Sequence, residues 1–137
     1  MIGEQDLLKL LKTNSLFKSV PEAFLKSFIK PKNFFIAKEG TLFYSADDEA
    51  NEMYLIIEGE VKIKYSDQKN VEHRYLQDFF GEKEILDKSN RISYAIADRN
   101  CKLYRISVEE INLLIQYDEI MLNNLKKINT EELVESV

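Results

Sequence analysis

The stretch FFGEKEILDKSNRISYAIAD, residues 79–98, decides how this chain is read. It opens on two aromatics that suit a strand. Gly81 and Glu82 make a turn, and eight mostly polar residues follow. Arg91 then heads an alternating segment, RISYAIAD, in which Ile92, Tyr94 and Ile96 alternate with small residues. An arginine at the threshold of a strand, ten residues after a glycine, asks what anion it serves.

The flanks of this stretch read as short strands over residues 33–107. EVKIKY alternates, with Val61, Ile63 and Tyr65 on one face and Glu60, Lys62 and Lys64 on the other. MYLIIEGE predicts a buried strand ending at Gly59, SDQKN a turn, and CKLYRI a last strand. Strands at this spacing suggest a sandwich or a barrel. Residues 4–30 predict helices, with Leu7, Leu8 and Leu11 as one apolar stripe and Phe24, Leu25, Phe28 and Ile29 as another. Ser19, with Pro21 in the first turn and Glu22 three residues on, reads as a capping box, and Pro31 stops the helix. Ser107 and Glu110 read as a second box opening helices over 108–137, where Ile111, Leu114 and Ile115 pack inward. Met121, Leu125 and Ile128 form a stripe that fits either a dimer seam or docking onto the strands.

Composition narrows the function. The chain of 137 residues suits one domain. Its net charge of −5 and the lack of a basic stripe argue against nucleic acid as a partner. An anionic ligand would have to be held by a local positive site, because the global field repels it. The single cysteine, Cys101, fits a cytoplasmic protein without disulfides, and no apolar run approaches a membrane span. One histidine, His73, rules against a metal enzyme of the β-roll kind and against a Ser-His or Cys-His nucleophile, so a non-enzyme is expected. His73 itself reads as a surface strand residue.

The residues now resemble a known family, the cyclic nucleotide-binding domain of cAMP and cGMP receptors, over nearly the whole chain. SLFKSVPEAFLKSFI is similar to its opening helical motif. EGTLFYSADDEANEMYLIIEGEVKI is similar to its first strands, with Gly40 and Gly59 at turns. FGEKEILDKSNRISYAIA is similar to its phosphate-binding cassette, placed at 79–97, with Glu82 and Arg91 at the family's spacing. Four features depart from the pattern. Lys83 and Glu84 replace a Leu-Ala or Leu-Gly pair, and Ile92 replaces Ala, Ser or Thr. The turn in YLQDFFGE is short, and FYSADDEANEMY lacks a glycine and is one residue longer. The resemblance implies an α+β fold: a single domain, residues 1–137, with an antiparallel β-roll of the double-stranded β-helix or jelly-roll kind between N-terminal helices (1–32) and C-terminal helices (108–137).

The resemblance also implies a site. Arg91 would fork two N–H groups onto the phosphate of a cyclic nucleotide. Glu82 would take the ribose 2′-hydroxyl. Phe80, Gly81, Lys83 and Ile92 would supply backbone or cassette contacts, and the Ser93 hydroxyl a further donor. The N-terminus of a short helix around 83–88 would add a seat for the anion. An apolar Ile92 removes a hydroxyl that favours guanine, which tilts the expectation from cGMP toward cAMP. No prosthetic group is implied. The final helices would carry the signal to a protein partner or a second copy, and the chain ends at Val137, short of a DNA-binding helix-turn-helix. Replacing Arg91 by Ala is expected to abolish binding without unfolding the domain.

Alternatives stand beside each assignment. Glu82 and Arg91 could simply pair across an empty pocket, leaving a protein-interaction module without a nucleotide. Lys83 reads as a solvated lysine or as a second cation for a ligand richer in phosphate, such as a cyclic dinucleotide. Tyr44, Tyr65, Tyr75 and Tyr94 read as core or as platforms for a base, and Asn123 and Asn124 as solvent-facing or as a cap over it.

Overall fold

In a computed structural model, the chain forms two compact units, one of residues 32–108 and one of residues 1–31 with 109–137. The structure describes residues 4–13, 17, 20–65, 70–76 and 78–117, the last four by backbone alone. The expected stripe at Met121, Leu125 and Ile128, the pair Asn123 and Asn124, and the cap Ser19 lie outside the described residues, as do the side chains of Leu114 and Ile115.

The described residues of the unit 32–108 include eight antiparallel strands in two four-stranded sheets. They are β1 (Phe34–Ala37), β2 (Leu42–Tyr44), β3 (Glu52–Glu58), β4 (Val61–Tyr65), β5 (Val71–Arg74), β6 (Phe79–Phe80), β7 (Ser93–Ala97) and β8 (Cys101–Ser107). One sheet runs β1-β8-β3-β6 and the other β2-β7-β4-β5. A short helix, α3 (Lys83–Asp87), joins β6 to β7. This is the antiparallel roll of an α+β fold that the sequence implies.

The sequence explains the layers. β3 reads as an unbroken apolar run because both of its faces are buried: Tyr54 and Ile56 on one, Met53 and Leu55 on the other. β4 buries Val61 and Ile63 as its alternation requires. On β7 the small residues face inward. Ser93, Ala95 and Ala97 are buried, while Ile92 before the strand and Tyr94 within it are exposed. The interior facing them is already filled by the rings of Tyr44, Tyr54 and Phe80, with Phe43 and Phe35 against them. Tyr54 and Phe80 stack at 4.8 Å, and Phe43 meets both at under 6 Å. Large strand residues meet small ones across the β4–β7 ladder, Val61 opposite Ala97 and Ile63 opposite Ala95.

The second unit contains α1 (Glu4–Thr13), α2 (Glu22–Phe28) and all of α4 (Val108–Tyr117) but its first residue. Leu7, Leu8 and Leu11 of α1 and Leu25 and Phe28 of α2 are buried, as is Ile111 of α4. The helices α1 and α2 pack on each other. The expected capping box at α2 is corrected. Pro21 occupies the N-cap position, and its carbonyl accepts from the N–H groups of Phe24 and Leu25. Glu22 is thus the first helical residue, too early to fold back on a cap. There its charge still suits the helix dipole. Ser107 ends β8 directly before α4, the position expected for a cap.

No helix among the described residues is long and apolar enough to cross a membrane.

Candidate functional site

β6 ends at Phe80, which is buried in the aromatic cluster. Gly81 follows with φ +86°, a left-handed conformation that favours glycine. A side chain there would meet the Arg91 guanidinium at 3.2 Å and the Glu52 carbonyl at 3.4 Å. Glu82 then stands at the N-cap of α3, its carbonyl accepting from the Leu86 N–H, and its side chain is buried. Lys83 opens α3 and is half-buried. The helix has five residues and ends with Lys88 in a left-handed conformation, where the N–H groups of Lys88 and Ser89 close onto the carbonyls of Ile85 and Glu84. One turn and a half gives a weak dipole, so the positive character of this site rests on Arg91.

Arg91 is 3% exposed. Its backbone is fixed by two bonds to the loop after β2: the Arg91 N–H donates to the Asp48 carbonyl, and its own carbonyl accepts from the Asp47 N–H, both at 2.8 Å. Asp47 adopts φ +75°, the turn conformation that a glycine would otherwise supply in this loop. The guanidinium donates through Nη1 to the Gly81 carbonyl at 2.6 Å and through Nη2 to the Glu52 carbonyl. It lies over the Tyr44 ring, with Cζ 3.9 Å from the ring centre. Its Nε–H makes no hydrogen bond among the described residues.

The acidic partner of Arg91 is Glu84. Its Oε2 lies 3.8 Å from Nη1, and its Oε1 accepts a long bond, 3.4 Å, from the Ile92 N–H. Glu84 is 4% exposed. Sequence reasoning noted this residue only as a departure, because a glutamate in a short polar helix reads as solvated. The Ile92 side chain is exposed, and Ser93 is buried with its hydroxyl on the Tyr44 phenol.

A cavity of about 310 Å³ reaches Arg91 from the side of β2 and β3. Its walls are the rings of Phe43, Tyr44 and Tyr54, the acidic stretch Asp48, Glu49 and Glu52, and Arg91 itself. Of Phe80, Gly81, Glu82, Lys83, Arg91, Ile92 and Ser93, Arg91 is the residue that lines this cavity. The sequence reading missed Tyr44 as the platform under Arg91, and Tyr54, whose hydroxyl donates to Glu52 Oε1 at 2.5 Å.

Two tyrosines here hold their protons tightly. Burial first, then the Glu84 charge, pushes the Tyr44 phenol well above its ordinary value of 10.0. Burial and the bond to Glu52 do the same for Tyr54. In the unfolded chain both ionise near pH 10. Above that pH the unfolded state loses protons that the folded state keeps, so stability falls as pH rises. The loss approaches about 1.4 kcal/mol per pH unit for each tyrosine. Urea midpoints between about pH 9 and pH 11 should show it, and Tyr54→Phe should flatten the slope by one tyrosine's share. An unchanged slope in that variant would contradict this account.

Elsewhere on the roll, His73 lies exposed on β5, where its Nδ1 is 3.0 Å from Glu60 Oε1 and 3.9 Å from Asp98 Oδ2. Arg99 and Lys62 pair with the same two carboxylates, at 3.4 and 3.7 Å. Cys101 is buried on β8, and burial pushes its thiol upward.

Among curated proteins no sequence matches this chain. Solved structures share its fold. The sensor domain of the transcriptional regulator DNR from Pseudomonas aeruginosa superposes with a TM-score of 0.76 at 20% identity, covering 92% of each chain. The Catabolite Activator Protein of Thermus thermophilus gives 0.74 at 19% identity over 90% of this chain, which spans 60% of that protein. The N-terminal domain of a transcriptional regulator from Streptomyces coelicolor A3(2) gives 0.67 at 18% identity, covering 93% of this chain and 94% of that one. The family model described as cyclic nucleotide-binding domain matches residues 35–118, more than half of the chain. The eight-stranded roll, its Phe80-Gly81-Glu82 turn and the buried Arg91 are therefore those of a member of the cyclic nucleotide-binding domain family, to which this chain belongs.

Proposed function

We propose that this chain is a regulatory sensor module rather than an enzyme, and that it binds a cyclic nucleotide through Arg91. The observation that carries the reading is Arg91 itself: a buried guanidinium on the wall of a cavity, with an Nε–H that has no acceptor among the described residues. A cyclic phosphodiester carries one negative charge and several acceptor oxygens, which suits that donor. Family membership supports the same ligand class. Phe80, Gly81, Glu82, Lys83, Ile92 and Ser93 form the surrounding cassette, with Gly81 and Ser93 placed against the guanidinium and its Tyr44 platform. cAMP is preferred over cGMP, since Ile92 offers no hydroxyl. The carboxylates of Glu49 and Glu52 on the cavity wall can accept from an exocyclic amine or a ribose hydroxyl. The signal leaves through the helices after Val108 to a protein partner, in the cytoplasm. Because solved structures of this fold include transcriptional regulators, a DNA target for a longer assembly belongs among the candidates.

A second reading has its own observation. Glu84 already pairs with Arg91, so the roll could serve as an interaction module without a nucleotide. A phosphate brought within about 4 Å of that carboxylate meets a repulsion of about 4 kcal/mol at an effective dielectric of 20.

Calorimetric titration with cAMP, cGMP and a cyclic dinucleotide separates the readings. The wild type should bind cAMP most tightly. Arg91→Lys keeps the charge but loses the fork, and should weaken binding about ten- to a hundredfold. No heat with any nucleotide, or equal affinity in the variant, would overturn the assignment.

A further inference from the structure

We infer that Glu84 is a tethered stand-in for the ligand's phosphate, and that it sets the affinity of the site for anions. The inference rests on the reading of Arg91 as a phosphate-binding residue, and it adds a residue that selects against anionic ligands until it is displaced.

Three observations carry it. The Glu84 carboxylate touches the two groups a phosphodiester needs here. One oxygen faces Arg91 Nη1 at 3.8 Å, and the other accepts from the Ile92 N–H at 3.4 Å. Both contacts are loose, well beyond the 2.7–2.9 Å of a strong charge-assisted bond. An anion with shorter reach could better them. Third, Glu84 is 96% buried in a position where a carboxylate has no reason to sit unless it neutralises Arg91 (4% exposed). The arginine is thus occupied but not saturated, since its Nε–H has no acceptor among the described residues.

Ligand entry then requires exchange of one anion for another. The carboxylate must leave Arg91 and the Ile92 amide, and its only tether is α3. That helix has five residues, and Asp87, Lys88, Ser89 and Asn90 after its core are exposed. Affinity for an anionic ligand is lower than Arg91 alone would give, by the cost of displacing Glu84.

The test compares the wild type with Glu84→Gln, Glu84→Ala and the double variant Glu84→Ala/Arg91→Lys. Glu84→Gln keeps the volume and the acceptor for Ile92 while removing the charge, so it guards against a folding defect. Two probes are used: cAMP by calorimetry, and sodium sulfate against sodium chloride at equal ionic strength by thermal melting. Both single variants should bind cAMP at least tenfold more tightly than the wild type, and the double variant should lose the gain. Sulfate should raise the melting temperature of Glu84→Ala more than that of the wild type, beyond its general stabilising action. If the wild type binds cAMP and the single variants bind no better, the inference fails and the nucleotide reading stands. If no protein binds cAMP but Glu84→Ala responds to sulfate through Arg91, the stand-in role is upheld and the nucleotide reading fails. If neither probe responds, both fall.

Discussion

Replacing Arg91 with alanine is expected to destabilise the protein by about 3–5 kcal/mol, the cost of stripping one partner from a buried charge pair. Arg91 does more than wait for a ligand. It donates to the carbonyls of Gly81 and Glu52, covers the Tyr44 ring and neutralises Glu84. Its loss leaves two carbonyls without that donor and a 4% exposed carboxylate without its cation. The melting temperature should fall by roughly 10–15 °C for a chain of this size. With that stability cost, loss of binding in Arg91→Ala is hard to separate from loss of fold, which is why Arg91→Lys is the better binding control. Lysine keeps the charge and one carbonyl bond, so its cost should stay near about 1–2 kcal/mol. A melting temperature within a few degrees of wild type for Arg91→Ala would mean that the guanidinium is not the keystone of this corner.

Gly59→Ala should be comparably damaging, by about 2–5 kcal/mol, from left-handed backbone strain plus overpacking. Gly59 lies between β3 and β4 with φ +115°. A Cβ there would stand 2.6 Å from the Asn100 carbonyl and 2.9 Å from Cys101 Cα, atoms of backbone that cannot rotate aside. Gly40 supplies the control. It also has a positive φ, +89°, but a Cβ there meets nothing within 4 Å. Gly40→Ala should therefore cost only the conformational part, about 1 kcal/mol. Urea denaturation of the two variants side by side reads the difference. Equal losses would show that the close approach of the β7–β8 turn to Gly59 is not real.

Much of this fold was legible because each sheet residue obeys a local rule. The continuous run of β3 and the alternation of β4 follow from two-sided and one-sided burial. β7 was legible only in part. Alternation showed that Ser93, Ala95 and Ala97 share a face, but not that this face is the inner one. That is decided by the rings contributed from β2, β3 and β6, which leave room only for small partners. The α2 cap failed for a local reason: the Pro21 carbonyl takes the first helical bonds, so the helix begins at Glu22, two residues later than a cap at Ser19 would start it. At the site, Gly81 and Arg91 came from the pattern of the chain. Glu84 and the loop through Asp47 did not. A glutamate's role depends on whether it is buried, and an aspartate replacing glycine at positive φ leaves no trace in composition or periodicity.

The central claim is that Arg91 is an anion seat held by Glu84 until a cyclic nucleotide takes its place. The most direct measurement is a nitrogen-15 NMR titration with cAMP that follows the Arg91 Nε–H and the Ile92 amide. The account predicts that both resonances move together along one binding curve, because the Ile92 amide exchanges Glu84 for phosphate while the Arg91 Nε–H gains an acceptor. Saturating cAMP that leaves both resonances unmoved would contradict it.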